Sequence, residues 1–548
     1  MITSFPNYME NNKYFITAFS SYFTGYEANR TSAGLNNAEN AVIRTDADAS
    51  SYVRNLSDQT IPVTNTYGFV PETELIRSGS AAAGAGYSPK AVSEAGYSPK
   101  VVSEAESAAS TGSGSRISGP AGDADPQRSI AAKRGNGGVI GENVYVGTKT
   151  LADIRKDFPI LSETVNGHPL IWLDNGATTQ RPRAVIDRLT YFYEHENSNV
   201  HRGAHALAAK ATDAYEGARQ IVADFLGVKD KNNIVFVRGT TEGINLVANA
   251  FVKPKLSPGD EIIVSMLEHH ANIVPWQLIA QETGAVLKVI PVDPSGQIIL
   301  SEYEKLFTKR TKFVSVTHVS NVLGTITPVE ELTAIAHAHG VRILVDGAQS
   351  VAHIPVNLTA LDADWFVFSG HKIYGPTGIG AVYGKKEVLE EARPYHGGGN
   401  MIKDVTFERT IYNPAPNKFE AGTGSIADAV GLGAALQYLQ AIGMPEVSRH
   451  EHELVQYGMK ELGKVKGLHL IGTASQKSSA LSFILDGVSN EAVGERLNEN
   501  GIAVRVGHHC AQPVLRRFGL ESTVRPTLAL YNSPDDVDAL VKVLRTFA

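Results

Sequence analysis

The 548-residue sequence contains a single cysteine, Cys510. One cysteine cannot form an internal disulfide, so the sequence excludes a disulfide-stapled secreted fold and is typical of the reducing cytoplasm. A free cysteine is most often a buried and inert side chain. Whether Cys510 is inert or reactive therefore depends on the residues around it.

The sequence also lacks an excess of basic residues and any long apolar run. Its formal net charge is −7, which leaves no general footprint for binding nucleic acid. No apolar run approaches the roughly 18–20 residues that span a bilayer, and the N-terminus has neither the basic nor the apolar region of a secretory signal. We therefore expect a cytoplasmic protein without nucleic-acid or membrane partners. Its length predicts two or more domains.

Residues 1–145 contain no tryptophan and are rich in Ala, Gly, Ser and Asn. Little in this segment could form a packed core, which predicts a mostly disordered extension. It includes two copies of a decapeptide, AGYSPKAVSE at 85–94 and AGYSPKVVSE at 95–104. A ten-residue period is too short for a helical repeat. The repeat is either a linear motif anchored by Tyr87 and Tyr97 or a neutral duplication in a spacer.

Aromatic residues near the N-terminus recur at the three- and four-residue spacing of one helical face. Such a face could dock onto a partner surface, as in helix-in-groove recognition, or pack back onto the rest of the chain. The residues are Phe15, Phe19, Tyr22, Phe23 and Tyr26.

From about Thr148 the pattern is that of an α/β protein, because short β-branched runs alternate with helical patterns. This alternation predicts a mostly parallel sheet with helices on both faces, and such sheets bind ligands at the carboxyl ends of their strands. The predicted strands are IVFV (234–237), EIIVSM (261–266), KFVSV (312–316), RILVD (342–346) and WFVFS (365–369).

Polar residues follow several of these strands. Lys372, in SGHKIYGPTG, suits a Schiff base if it is desolvated, although a lone lysine is more often a solvated charge. Asp346 ends RILVD and could pair with a pyridinium nitrogen or simply cap a helix. Thr240 and Thr241 stand where a helix would start, as a phosphate site or as an N-cap. His269, after a third strand, could lie on a pyridine ring and move protons.

Together these segments resemble the fold-type I pyridoxal-phosphate enzymes, in particular the class V aminotransferase group that includes cysteine desulfurases. The resemblance covers roughly residues 150–548 and is closest to the SUF-type (group II) cysteine desulfurases and selenocysteine lyases. It rests on DFPIL, LDNGATTQRP, NVHRGAH, EHHANIVPW, HVSNVLGT, VDGAQS, SGHKIYGPTG, FEAGT and RVGHHCAQP. It implies a large domain at about 175–435 and a smaller α+β domain from 146–174 plus 436–548.

The resemblance also implies roles in binding pyridoxal 5′-phosphate. Lys372 would carry the cofactor, Asp346 would pair with its ring nitrogen, Gln349 would bond its ring hydroxyl and His269 would stack on the ring. The phosphate ligands would be Thr240, Thr241, Ser369 and His371, joined by Thr423 from the other subunit of an obligate homodimer.

For the substrate, L-cysteine, the resemblance implies that Arg525 binds the carboxylate, with Arg505 nearby, and that Asn321 contacts both the substrate and the cofactor ring. A planar guanidinium suits a bidentate grip on a carboxylate. Asn400 departs from the family, which usually has Glu there, and puts details of the dimer interface in doubt.

Cys510 decides which pyridoxal-phosphate reaction is expected. Attack on the substrate sulfur needs a thiolate, and His508, His509 and Arg505 could make the stretch electropositive. Lys372 would remove the α-proton, and Cys510 would take the sulfur as a persulfide for an acceptor protein or a thiol reductant, leaving alanine. A metal is not expected, because three adjacent residues cannot easily converge on one ion and no second cysteine exists.

Three alternatives stay open at this stage: a selenocysteine lyase, another class V reaction such as transamination, and a non-catalytic scaffold. The N-terminal extension resembles, by composition, the loading domain of desulfurases packaged inside encapsulin shells. It therefore suggests an encapsulin shell protein as a partner and a nanocompartment as a location.

Overall fold

The computed structural model describes residues 144–201, 203 and 205–547. All of them belong to one of the two units into which the chain divides, Asp123–Ala548. The predictions made for the N-terminal extension, including the decapeptide repeat and the aromatic face, lie outside the described residues.

A seven-stranded sheet forms the centre of the described fold. Its strands are β1 (Ile234–Val237), β2 (Glu261–Ser265), β3 (Val286–Ile290), β4 (Thr311–Thr317), β5 (Arg342–Asp346), β6 (Trp365–Ser369) and β7 (Gly380–Gly384). They lie in the order β1-β7-β6-β5-β4-β2-β3. β7 runs antiparallel to both of its neighbours, β1 and β6, and the other adjacent pairs of this sheet are parallel. The five predicted strands are confirmed, and so is the mostly parallel sheet.

Most strands of this sheet are buried along their length without alternation because both faces are covered. In β6, Trp365 and Val367 belong to one apolar cluster, whereas Phe366 and Phe368 belong to the cluster on the opposite face. The α-helices are Leu151–Lys156, Arg183–His195, Ala206–Phe225, Thr240–Val247, Val274–Thr283, Leu300–Lys305, Val329–Ala338, Leu358–Leu361, Lys386–Glu391, Ile426–Ile442, Met444–Leu462, Asn490–Glu499, Gln512–Arg517 and Pro534–Leu544. No helix among the described residues is long and apolar enough to cross a bilayer.

A second, four-stranded sheet lies near the C-terminus. It consists of β8 (Leu468–Leu470), β9 (Phe483–Leu485), β10 (Arg505–Gly507) and β11 (Thr523–Arg525) in the order β8-β9-β11-β10. Paired short strands are Tyr145–Val146 with Lys149–Thr150, Thr164–Val165 with His168–Pro169, Ile171–Trp172 with Ile502–Ala503, and Ile402–Val405 with Thr410–Tyr412. β10 and β11 end close to Cys510 and Arg525, so this sheet brings the C-terminal residues to the site.

Candidate active site

Lys372 stands one short turn beyond the end of β6. The 3₁₀ turn Gly370–Lys372 follows directly on Ser369, and Gly370 is needed because a Cβ there would lie 2.8 Å from Ile379 Cγ2. The ammonium is enclosed by protein and only partly accessible, through the cavity that it lines. This burial, with the repulsion of Arg525 and Arg505, lowers the pKa of Lys372 to about 8, although Asp346 opposes the shift. Lys372 therefore has the free-amine character that carbonyl chemistry requires.

Asp346 ends β5 and is buried. Its Oδ1 accepts a bond of 2.9 Å from the Ala348 amide, so the carboxylate holds its own turn and caps no helix. Burial raises the pKa of Asp346, while Lys372 and the Ala348 amide oppose the rise. Gln349, one turn on, donates from Nε2 to the Gly176 carbonyl at 2.8 Å. A buried carboxylate with a free oxygen is the group that a pyridinium nitrogen needs.

The ends of β1 and β6 meet at an anion site. Helix Thr240–Val247 begins after Gly239, whose φ is 152° and which has no side chain to cap the helix. The Thr240 amide and hydroxyl both lie 2.8 Å from Ser369 Oγ. Thr240 and Thr241 therefore occupy the first turn itself, where amide groups and the helix dipole favour a phosphate. Burial lowers the pKa of nearby His371 to about 4, so this ring is neutral.

His269 follows β2 with its ring over the same cavity wall. Its Nδ1 accepts from the Ala271 amide at 3.0 Å, which leaves Nε2 as the protonated nitrogen. Burial and Lys372 lower the pKa of His269 to about 3. The ring is thus neutral, and a neutral ring can stack on a heteroaromatic cofactor without adding charge.

A buried carboxylic acid, Glu268, supports this turn from behind. It accepts from Asn272 Nδ2 at 2.6 Å and from the Thr317 amide at 2.9 Å, and it also bonds the Ser265 hydroxyl. Burial raises the pKa of Glu268 to about 8. Sequence reasoning missed Glu268, although its place between a strand end and His269 was a usable signal.

Arg525, on β11, is fully enclosed and meets two partners. Nη1 donates to the Asn321 carbonyl at 2.7 Å and Nη2 to Asp174 Oδ1 at 3.3 Å. Burial lowers the pKa of Arg525 to about 10, so the guanidinium stays charged at neutral pH. Within the described part of the chain, Arg525 Nε and Asn321 Oδ1 have no partner. The site thus keeps one donor and one acceptor open.

Cys510 stands on a tight turn after β10. The Cys510 carbonyl accepts from the His270 amide at 2.7 Å, and its own amide donates to His508 Nδ1 at 3.0 Å. Lys372 and Arg525 are close enough to interact electrostatically with the thiol. The prediction that His509 adds positive charge is wrong, because burial lowers the pKa of this ring to about 3.

The predicted site residues, except Thr423, line one cavity of about 210 Å³. They are Thr240, Thr241, His269, Asn321, Asp346, Gln349, Ser369, His371, Lys372, Arg505, Cys510 and Arg525. The cavity is also lined by residues that the sequence did not single out for it, among them Gly176, Thr317, Ala348 and His509. Gly176, Ala348 and His509 lie inside motifs quoted above, but the motifs alone did not assign them a part in binding the cofactor or the substrate.

Thr423 lies outside this cavity and is exposed. It lines a second cavity together with Asn400, the position that departs from the family pattern. Asn400 has a φ of 68°, donates to the Glu420 carbonyl at 3.0 Å and lies 3.4 Å from His201 Nδ1. Asn400 therefore fixes the loop that carries Thr423.

The residues present fit pyridoxal 5′-phosphate. A lysine with a lowered pKa, a buried carboxylate, an anion-binding helix start and a neutral flat ring surround one cavity. Asn321 is among the residues that line that cavity, and its buried Oδ1 has no partner among the described residues; a buried acceptor left without a partner is rare unless a ligand completes it.

Comparison with known proteins agrees with this chemistry. The family model of the class-V aminotransferases matches residues 171–540. A probable cysteine desulfurase of Vibrio cholerae is 44% identical over 391 residues, which cover 71% of this chain and 96% of that protein. The chain belongs to the cysteine desulfurase branch of the class-V aminotransferase family. It is therefore a pyridoxal-phosphate-dependent enzyme, and the predicted fold type is confirmed.

Other relatives are similar over the same part of the chain. A cysteine desulfurase of Synechococcus elongatus is 60% identical over 392 residues, covering 72% of this chain and 63% of that protein. In a probable cysteine desulfurase of Mycolicibacterium paratuberculosis the match covers 58% of the protein, so the chain spans less than two thirds of both. The crystal structure of the cysteine desulfurase CsdA from Escherichia coli matches with a TM-score of 0.68 and 39% identity, covering 73% of this chain and 98% of that one.

Proposed function

We propose that this enzyme is a SUF-type (group II) cysteine desulfurase, which converts L-cysteine to L-alanine and holds the sulfur as a persulfide on Cys510. The observation that carries the proposal is that Cys510, Lys372 and Arg525 line one cavity. A transaminase needs the lysine and the arginine but has no use for a thiol there.

The cofactor is held by residues of the large sheet. Lys372 would bind the aldehyde carbon, Asp346 would pair with the ring nitrogen, His269 would cover the ring, and Thr241 with Ser369 would bind the phosphate. When bound, pyridoxal phosphate acts as the electron sink that labilises bonds at the substrate's α- and β-carbons. Gln349 and Asn321 would bind the ring hydroxyl. We also propose that these residues belong to a large domain at about 175–435, beside a small domain of 146–174 plus 436–548.

The substrate is anchored before any bond is broken. The Arg525 guanidinium, held by the Asn321 carbonyl and Asp174, offers its remaining N–H groups to the carboxylate, and Arg505 adds a second positive charge. Lys372 Nζ removes the α-proton, since its lowered pKa suits an amine that must be a base near neutral pH.

Cys510 then performs the sulfur transfer. Its thiolate attacks the substrate sulfur, so that a new S–S bond forms as the carbon–sulfur bond of the substrate breaks. The electron pair of the broken bond stays with the β-carbon of the substrate. This carbon takes a proton, and the product is released as alanine. A sulfur-acceptor protein or a thiol reductant removes the terminal sulfur.

A homodimer completes the site. Thr423 is exposed and apart from the cavity of its own chain, which suits a residue that serves the phosphate of a partner subunit. Close by in sequence, the hairpin Ile402–Tyr412 exposes large apolar side chains, with Phe407 fully exposed and Val405 59% exposed. Such a patch is more typical of an interface than of a free surface.

The test measures the cofactor absorbance band of the purified enzyme, followed by sulfide and alanine formed from L-cysteine. We expect equal amounts of the two products from the wild-type enzyme and neither from Cys510→Ala, whose absorbance band stays intact. Alanine formed by Cys510→Ala at the wild-type rate, or products other than alanine, would contradict the proposal. Running the assay with selenocysteine compares the preference for selenium.

We propose in addition that residues 1–145 load this enzyme into an encapsulin shell in the cytoplasm. The support is compositional: a long polar segment with a Tyr-Ser-Pro-Lys repeat precedes the catalytic part. A variant that lacks residues 1–145 should turn over cysteine at the wild-type rate and lose co-purification with a co-expressed shell protein. Retained co-purification would refute this role.

A further inference from the structure

The turn that carries Cys510 contains two consecutive residues in the left-handed region. His509 has a φ of 53° and Cys510 a φ of 56°, and neither is glycine. Such residues persist only where surrounding contacts over-determine the backbone. The contacts of His509 therefore decide whether the nucleophile keeps its place.

The His509 ring bonds the neighbouring strand through one nitrogen. Nε2 lies 3.1 Å from the Thr523 carbonyl and 3.0 Å from the Thr523 hydroxyl. A carbonyl only accepts, so Nε2 carries the proton and donates. Nδ1 is buried and has no partner within residues 144–547 as described. An imidazolium would bury a second N–H there without an acceptor, so the ring is neutral.

The His509 backbone has a second anchor. Its carbonyl accepts from Asn321 Nδ2 at 2.6 Å, and the Asn321 carbonyl is also bound by Arg525. Thr523 pairs with Gly507 across β10 and β11, two residues before Arg525. His509 thus joins the turn of the nucleophile to the strand and the loop that hold the proposed carboxylate anchor.

We propose that His509 is a positioning residue that fixes Cys510 in reach of the substrate sulfur, acting as a neutral Nε2–H donor to Thr523. The inference rests on the proposed function, because it assumes that Cys510 is the nucleophile. In this proposal His509 positions the backbone of Cys510, whereas its place next to the thiol in the sequence suggests an electrostatic role.

The test uses two substitutions in the full-length holoenzyme. The Gln amide nitrogen in His509→Gln can take the place of Nε2 and reach Thr523, whereas Asn in His509→Asn is too short. We expect His509→Asn to lower kcat by about 10²-fold, the scale of a 1 Å misplacement of a reacting group, with KM within about twofold and the cofactor absorbance unchanged. His509→Gln should recover most of kcat. His452→Asn, at an exposed position, should match the wild type.

Equal kcat values for the Asn and Gln variants, or a change confined to KM, would overturn the proposal. A wild-type enzyme without desulfurase activity would instead refute the proposed function itself. A second measurement is made on the wild-type protein and uses His509→Gln only to assign the signal. ¹⁵N spectra of the histidine-labelled wild type, assigned against His509→Gln, should show the Nε2–H tautomer at pH 7, and an Nδ1–H tautomer or an imidazolium would overturn the inference.

Discussion

Lys477 is a buried lysine outside the catalytic cavity, and the structure predicts how its removal changes stability with pH. The residue is 2% exposed. Its ammonium nitrogen donates to the Leu323 carbonyl and, at 2.9 Å, to the Gly472 carbonyl. No carboxylate of the described chain pairs with it. Burial without a counter-charge lowers the pKa of Lys477 to about 7.

The magnitude follows from proton linkage. The unfolded chain has a lysine pKa of 10.5, so between pH 7 and 10.5 the unfolded state binds more protons than the folded state. The free energy of unfolding therefore rises with pH in this window by about 1.4 kcal/mol per pH unit, and it falls by the same amount as the pH is lowered towards 7. From pH 7.5 to 9.5, Lys477 alone raises the free energy of unfolding by about 2.5 kcal/mol.

Lys477→Met removes this contribution and leaves the rest of the protein unchanged in charge. We expect the free energy of unfolding of the wild type, minus that of Lys477→Met, to increase by about 2.5 kcal/mol from pH 7.5 to 9.5. The assay compares urea unfolding of the two proteins at each pH, so that shared contributions cancel. The exposed Lys466 supplies the control, because Lys466→Met should keep a constant gap. A constant gap for Lys477→Met as well would refute the reasoning.

Three further predictions concern the site. Arg525→Lys should raise KM for cysteine by about 10²-fold, since one ammonium cannot replace several charge-assisted bonds of about 1.5–3 kcal/mol each; an unchanged KM would contradict this, and exposed Arg517→Lys is the control. Gly347→Ala should destabilise the enzyme by roughly 1–3 kcal/mol and weaken the cofactor absorbance band, because the new Cβ would lie 2.0 Å from Phe366 Cζ. Gly217→Ala is the control, since a Cβ there meets nothing within 4 Å. Acid should destabilise the fold as pH falls below 6.5, by up to about 1.4 kcal/mol per unit for each histidine with a lowered pKa, and a flat urea midpoint from pH 7 to 5 would argue against it. The histidines whose pKa is lowered to about 3 or 4 are His269, His318, His371 and His509. Burial also lowers the pKa of His270 and His450.

The strands that the sequence predicts are those buried on both faces. β5 and β6 are continuous apolar runs, and the structure places them at the predicted bounds. The sequence analysis missed β3, an edge strand whose residues are largely half-buried or exposed, and β7, whose GAVYG run begins and ends in glycine. Edge exposure and terminal glycines weaken the same signal for different physical reasons.

The cavity was predictable because it gathers residues from strand ends, and strand ends of a parallel sheet lie at one edge. The protonation state of each titratable group was not predictable from the sequence. His509 stands beside Cys510 in the sequence, yet its partner Thr523 is 14 residues away, and the burial that decides its charge arises only in the folded chain. The role proposed for Thr423 requires a second subunit, which no pattern within one chain fixes.

The neutral histidines change how the site attracts anions. With His269 and His509 uncharged near neutral pH, the positive charge around the cavity rests on Lys372, Arg505 and Arg525, and repulsion among these groups helps to lower the pKa of Lys372 and Arg525. Each anion that enters, whether phosphate, substrate carboxylate or thiolate, relieves part of this repulsion. The repulsion among these cations thus destabilises the ligand-free fold and is reduced on binding. Cofactor and substrate should therefore each stabilise the enzyme by more than their direct contacts.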